Sequence, residues 1–333
     1  MNKNPIDFVI LWVNPNDESW QRDRNRFKTN VNTDERIIRY RDWENLQYLF
    51  RGIEKFTPWV NKVHFITYGH LPKWLNVHHP KLNIVNHKDY IPENYLPTFN
   101  SDSIELNLHR LDALSENFVI FNDDTFVLKE MLENDFFVDD KPRDAALLNV
   151  HCYDMETIFT LAPFVNIGVI NKYFDMHKVI KENLRLWFHP SYGISVLRNL
   201  YLQPCPRFPG MRMDHLPCSH LKSTFSKLWD LEYDIFDQTS KNRFREKTSI
   251  NHWVMKEWNI ASGNFVPRSP KVGKSFAMNC DNINYIGNCI SQQKYKLICL
   301  NDTEMTNKEF DLCKEKIIKS FEIILSEKSE FEI

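Results

Sequence analysis

Short apolar runs, each cut off by turn-forming residues, limit what this chain can become. The most informative is Phe118-Val119-Ile120-Phe121, broken at once by Asn122-Asp123-Asp124. A run this brief, bounded by polar residues, reads as a buried strand rather than a helix. Ile6 to Val13, closed by Asn14-Pro15-Asn16-Asp17, reads the same way, as do Val63–Thr67 and Leu82–Val85. Helical spacing fills the gaps. Trp43, Leu46, Leu49, Phe50 and Ile53 share one face, with Asp42 as N-cap and Pro58 as a stop. Ile104, Leu108 and Leu111 predict a helix over 102–114. Strands alternating with helices predict an α/β fold with a mostly parallel, Rossmann-type sheet flanked by helices.

Open sheets of this kind gather ligands beyond the C-terminal ends of their strands. Adjacent carboxylates there, Asp123 and Asp124, suggest a hard divalent cation, a type that commonly carries substrate phosphates. The alternative is a plain turn. Successive strand side chains point to opposite faces, so both acids reach one site only if the backbone bends. Asp7 lies inside an apolar run and needs a partner, either neighbouring backbone or a nucleotide. Arg51 and Lys55, one helical turn apart, form a solvated stripe or a phosphate clamp. Ser101, Glu105 and His109 would share a helix face, unless Glu105 closes a capping box with Asp102.

His215 stands two residues before Pro217, in a constrained backbone. Arg243 and Arg245 follow; arginine suits bidentate phosphate binding, with a surface ion pair to Glu246 as the alternative. A further strand-like run, Tyr295 to Leu300, also ends in Asn-Asp, at Asn301-Asp302. Thr306 and Glu309 form a capping box that opens a tail helix. Phe310, Cys313, Ile317, Phe321 and Ile324 line its apolar side, and the last six residues are expected to fray.

Composition excludes several classes. The net charge is −2 with no basic block, which argues against nucleic acid. Seven cysteines without a C-x-x-C pair argue against a disulfide framework or structural zinc, and for a reducing compartment. No apolar run approaches the roughly 18 residues of a membrane span, and the first residues do not read as a signal peptide.

Taken together, these stretches resemble the Stealth family of sugar-phosphate transferases. That family includes bacterial capsular polysaccharide phosphotransferases and is related to the catalytic part of the animal lysosomal-enzyme N-acetylglucosamine-1-phosphotransferase. The first matching block runs from Ile6-Asp7 through Trp12-Val13-Asn14. The second runs from Arg39-Tyr40-Arg41-Asp42 through Pro58-Trp59, Pro72 to Asn76, Leu96 to Ser101, Ile104-Glu105 and His109-Arg110 to Asn122-Asp123-Asp124. The third lies around His215-Leu216-Pro217 and Arg243-Phe244-Arg245, and the fourth is Cys299-Leu300-Asn301-Asp302. The chain departs at Asn14-Pro15-Asn16, where the family more often has Asp-Gly or Asn-Gly.

The resemblance implies a glycosyltransferase-A-like fold and transfer of a hexose-1-phosphate from a nucleotide-activated sugar to an acceptor hydroxyl, with a nucleoside monophosphate leaving. It places the catalytic acid–base and phosphate-binding residues at Asp124, His215 and Arg245. His215 is then expected to be general base, Arg245 to stabilise the transferred phosphoryl, and Asp123 and Asp124 to hold Mg²⁺ or Mn²⁺, with Asp124 alternatively a base or orienter of the histidine. Donor contacts are expected at Asp7, Trp12, Asn14, Arg51, Asn100, Ser101, Glu105, Arg243 and Asn301. On this basis residues 1–150 form the nucleotide-sugar-binding part, 151–210 an inserted acceptor region or lid, and 211–333 a second catalytic part and C-terminal helix. The expected partners are a UDP-linked donor and a lipid-linked or oligosaccharide acceptor, in the cytoplasm or peripherally at the inner membrane face. Two other readings remain: a metal-dependent glycosyltransferase releasing a nucleoside diphosphate, and a non-catalytic glycan-binding protein.

Overall fold

A computed structural model describes residues 2–28, 41–152 and 161–333. Its strands are β1 (Ile6–Leu11), β2 (Val63–Thr67), β3 (Leu82–Asn86), β4 (Asn117–Asn122), β5 (Thr125–Val127), β6 (Phe137–Val138), β7 (Lys141–Asp144), β8 (Cys218–Leu221), β9 (Val266–Pro267), β10 (Gly273–Ala277) and β11 (Leu297–Asn301). The central sheet has the order β3-β2-β1-β4-β8. All its pairings are parallel except β4 with β8. The mixed α/β fold with a parallel-rich sheet is thus present. β8 had no signal in the sequence, because it is short and contains a polar Ser-His pair.

Strand alternation builds two cores. Phe8, Ile10, Val119 and Phe121 face one side, with Phe50, Ile286, Ile317 and Phe321. Val9, Phe118 and Ile120 face the other, with Ile170, Phe225, Phe236 and Val254. The helix Leu46–Phe56 packs on the first side, where Gly52 is required: a Cβ there would meet the Val127 carbonyl oxygen at 2.6 Å.

β5 leaves the central sheet and pairs antiparallel with β11, which pairs parallel with β10. This second small sheet brings the end of β11 beside the end of β4.

Several expectations change. The helix expected over 102–114 stops at Leu106, spanning Ser101–Leu106, and a single 3₁₀ turn follows at Leu108–Arg110. His109 therefore leaves the shared face, donates from Nδ1 to the Leu106 carbonyl (3.2 Å) and packs against Trp229. Asn45, not Asp42, precedes the helix Leu46–Phe56. The polar stretch after Asp17 begins as a helix, Glu18–Phe27, capped by the Asp17 carboxylate on Trp20 N. Its continuation, with Arg39 and Tyr40, lies outside the described residues. The capping box of Thr306 and Glu309 forms and opens the helix Asn307–Ile324. The chain end does not fray. Phe331 is buried, its carbonyl accepts from Asn76 N at 2.7 Å, and Ile333 N donates to the Trp74 carbonyl at 2.9 Å.

Candidate active site

The parallel strand order reverses direction between β1 and β4, the position where open sheets leave a crevice. A cavity of about 840 Å³ lies there, a size suited to a small-molecule ligand. Leu11, Trp12 and Val13 line it from the end of β1, and Asn122, Asp123 and Asp124 from the end of β4. Asn301 and Asp302 enter from the end of β11, and His215, Arg245 and His252 come from the later part of the chain.

Asn122 to Thr125 is both a turn and a wall of this cavity. Thr125 Oγ1 donates to the Asn122 carbonyl (2.7 Å), so the backbone bends between β4 and β5. That bend lets both acids border one space. Asp123 stays open to the cavity, yet the surrounding walls, then Asp124 and Asp42, push its pKa up to about 7. Asp124 Oδ2 accepts from the buried thiol of Cys299 at 3.3 Å. Its Oδ1 is buried without a hydrogen-bond partner among the described residues, as are both carboxylate oxygens of Asp302. Arg41 approaches Asp302 at 3.8 Å.

His215 is gripped from two sides. Asn301 Nδ2 donates to Ser275 Oγ (2.6 Å) and to the Phe276 carbonyl (3.3 Å), which turns Asn301 Oδ1 toward the ring. His215 Nδ1 therefore donates to Asn301 Oδ1 at 2.6 Å. The Nε2 lone pair accepts from Asn122 Nδ2 at 2.8 Å. A neutral imidazole has one donor and one acceptor nitrogen, so this arrangement leaves Nε2 as the basic atom. Trp253 packs edge-on against the ring, 6.0 Å between centroids.

Across the cavity, Arg245 bonds Ser101 Oγ, and its Nε lies 3.6 Å from Asp102. His252 Nδ1 donates to Glu105 Oε2 at 2.6 Å, with both side chains nearly buried. The Glu105 carboxylate thus orients an imidazole instead of closing a capping box, and Asn100 is the actual cap of that helix. Trp12 lies half-buried on the cavity wall, stacked on Phe65.

The structure brings Trp12, Ser101, Glu105, Asp123, Asp124, His215, Arg245 and Asn301 to one cavity. Five expected donor contacts lie elsewhere. Asp7 sits near the start of β1, at the opposite end of the strand from the crevice. It accepts from Asn61 Nδ2 (2.7 Å) and Ser115 N (2.8 Å) and pairs with His64 at 3.0 Å. Although burial disfavours its charge, these hydrogen bonds hold its pKa below the ordinary value. Arg51 forks onto Glu332, at 2.8 and 2.9 Å, and donates to the Leu325 carbonyl. Its phosphate-like partner is the chain's own carboxylate. The Asn14 side chain closes its own turn by accepting from Asn16 N (2.9 Å). Asn100 is fully buried and braces the Ser101 wall from behind. The Arg243 guanidinium lies over the Phe27 ring, 4.5 Å from its centroid.

Residues not assigned a role from sequence also border the site. Asp302 repeats the strand-then-Asn-Asp pattern of Asp123, a signal that was available. His252 had none, because no spacing links it to Glu105, and Asp102 carried only the capping-box spacing; the Cys299 thiol is buried behind the wall, where it touches Asp124.

Hard cations take oxygen ligands. Asp123 and Asp124 border the cavity with ligands of that kind, and the Oδ1 of Asp124, buried without a hydrogen-bond partner among the described residues, is suited to such an ion, whereas Asp302 is already paired with Arg41. Asp124, His215 and Cys299 also lie close enough to share a metal. However, burial, then Asp124, push the Cys299 thiol well above its ordinary pKa. A protonated thiol, beside an imidazole already held through Nδ1, suits a hydrogen-bonded support better than a thiolate metal centre.

Fold and site together define an α/β protein with carboxylates and an oriented imidazole at its sheet crevice. Models of Stealth protein conserved regions 1 and 2 match residues 4–31 and 39–144. A capsular polysaccharide phosphotransferase WcwK of Streptococcus pneumoniae is 42% identical over 99% of both chains. Exopolysaccharide phosphotransferase cps2G of Lactiplantibacillus plantarum is 36% identical over 98% of this chain and 96% of its own. Receptor polysaccharide phosphotransferase WefC of Streptococcus oralis is 32% identical over 99% and 100%. The chain belongs to the Stealth family. Among solved structures, galactosyltransferase LgtC in complex with donor and acceptor sugar analogs aligns with 97% of this chain and 98% of its own, at TM-score 0.42 and 9% identity.

Proposed function

We propose that this protein transfers a hexose-1-phosphate from a nucleotide-activated sugar to a hydroxyl of a growing polysaccharide, forming a phosphodiester and releasing a nucleoside monophosphate. The observation that carries this reading is the convergence of Asp124, His215 and Arg245, distant in the chain, on one crevice. The polysaccharide phosphotransferases similar over the whole chain support it.

In this reading the acceptor oxygen attacks the sugar-bearing phosphorus, and the bond to the bridging oxygen of the nucleotide breaks. His215 Nε2 takes the acceptor proton. An incoming hydroxyl replaces the Asn122 amide at that nitrogen, while Asn301 keeps Nδ1 protonated. Arg245, backed by Asp102, offsets charge on the phosphoryl oxygens. His252, turned by Glu105, presents a second imidazole to the same space, and Trp12 offers a flat face to the base or sugar. Asp123 and Asp124 would hold Mg²⁺ or Mn²⁺. Such an ion supplies charge neutralisation at the diphosphate. A UDP-linked donor and a lipid-carried acceptor are part of the same proposal.

The test incubates the protein with a panel of nucleotide sugars, Mg²⁺ or Mn²⁺ and an oligosaccharide acceptor, and identifies the nucleotide formed. A monophosphate, lost on chelation and restored by the cation, supports the reading. A diphosphate would establish glycosyl transfer instead.

A further inference from the structure

Among the described residues, large exposed apolar side chains crowd into one stretch. Leu184, Ile194, Leu197, Leu200 and Tyr201 are 53%, 81%, 40%, 53% and 79% exposed. They lie on and between the short helices Leu184–Trp187 and Leu197–Tyr201. Leu184 and Leu200 line one shallow cleft, and a cluster of exposed apolar side chains marks an interaction site more often than scattered single ones do.

The charge along this stretch, which follows the exposed Asp175, is one-sided. Lys178, Lys181, Arg185, Arg198 and Arg207 are all exposed. Between Met176 and Arg207 the sole carboxylate is Glu182, although the whole chain carries a net charge of −2. Cations and apolar groups interleave: Lys181 borders the same shallow cleft as Leu184, Phe188 and Leu200, and Arg185 and Arg198 follow Leu184 and Leu197 directly. A second copy of this face would set like charges together, which disfavours self-association. Apolar side chains among lysines and arginines fit the headgroup boundary of a bilayer with anionic lipids. Among the described residues, no helix is long and apolar enough to cross a membrane, so contact here would be peripheral.

We propose that residues 176–207 seat the enzyme on an anionic lipid bilayer. The exposed leucines, Ile194 and Tyr201 enter the headgroup region, and the surrounding cations meet the lipid phosphates. This rests on the reading that the acceptor glycan is carried on a membrane lipid.

The test mixes the full chain with phosphatidylcholine vesicles, with or without phosphatidylglycerol, and measures co-sedimentation. Binding to the anionic vesicles is expected, about tenfold weaker on pure phosphatidylcholine and falling with added salt. Ile194→Asp with Tyr201→Asp should remove binding while nucleotide release with a water-soluble acceptor stays at the wild-type rate. Arg185→Gln with Arg198→Gln, a surface change that spares folding, should weaken the preference for anionic lipid. Absence of vesicle binding would overturn the proposal. So would binding that neither variant alters, or a dimer in sedimentation that Ile194→Asp with Tyr201→Asp dissolves. Vesicle binding without any nucleotide release would count against the transferase reading and leave the surface standing.

Discussion

His215 Nδ1 donates to Asn301 Oδ1 across 2.6 Å, joining the loop before β8 to the end of β11. The amide end of Asn301 is already committed to Ser275 and Phe276, so the imidazole has one tautomer open to it. Asn301→Ala frees the ring to rotate and to protonate at Nε2. The expected result is a fall in kcat of about ten- to a hundredfold with little change in donor KM. Steady-state kinetics with varied donor measure both, and an unchanged kcat would show that the ring needs no such hold.

Replacing the base or the phosphate partner should be more severe. His215→Ala and Arg245→Ala are each expected to lower turnover by at least about a hundredfold. Both side chains border an open cavity rather than a core, so thermal melting should stay near the wild-type value. Either purified variant retaining full transfer would refute the assignment.

Arg51 and Glu332 separate a structural from a ligand-binding role. The guanidinium forks onto a carboxylate whose side chain is 4% exposed, on a chain end that is otherwise anchored. Breaking such a pair leaves an uncompensated charge, so Arg51→Ala should cost about 3 kcal/mol of stability. Denaturant unfolding reads that loss. Donor KM should not move, whereas a rise in KM would return Arg51 to the binding site.

Glu257 gives a pH dependence. Its carboxylate is fully buried without a hydrogen-bond partner among the described residues, and burial lifts its pKa from 4.5 to about 8. The folded protein keeps this proton where the unfolded chain has released it. The group therefore lowers stability progressively as pH rises from about 4.5 to about 8, by up to roughly 1.4 kcal/mol per pH unit. Glu257→Gln removes this dependence. Its melting temperature relative to wild type should improve by a few degrees more at pH 8 than at pH 5. Equal offsets at both pH values would mean that Glu257 is ionised in the fold.

Much of this protein is written locally. The strands β1 to β4, the turn after β1 and the capping box at Thr306 are legible because each depends on neighbours a few residues away. Asn122-Asp123-Asp124 belongs with them: a strand end is local, and its place at a crevice follows from parallel topology. The helix stops at Leu106 although its apolar spacing continues, because that spacing serves the following 3₁₀ turn equally well.

Tertiary structure alone chose which polar groups serve the cavity. Asp7 and Arg51 looked as ready for a ligand as Asp124 and Arg245, since side-chain chemistry is the same whoever the partner is. Folding gave Asp7 to His64, Asn61 and Ser115, and Arg51 to Glu332. It also set His252 against Glu105, 147 positions apart, a pairing with no periodicity to betray it. A buried charge takes whichever partner chain closure brings within reach, and that partner is a property of three-dimensional packing.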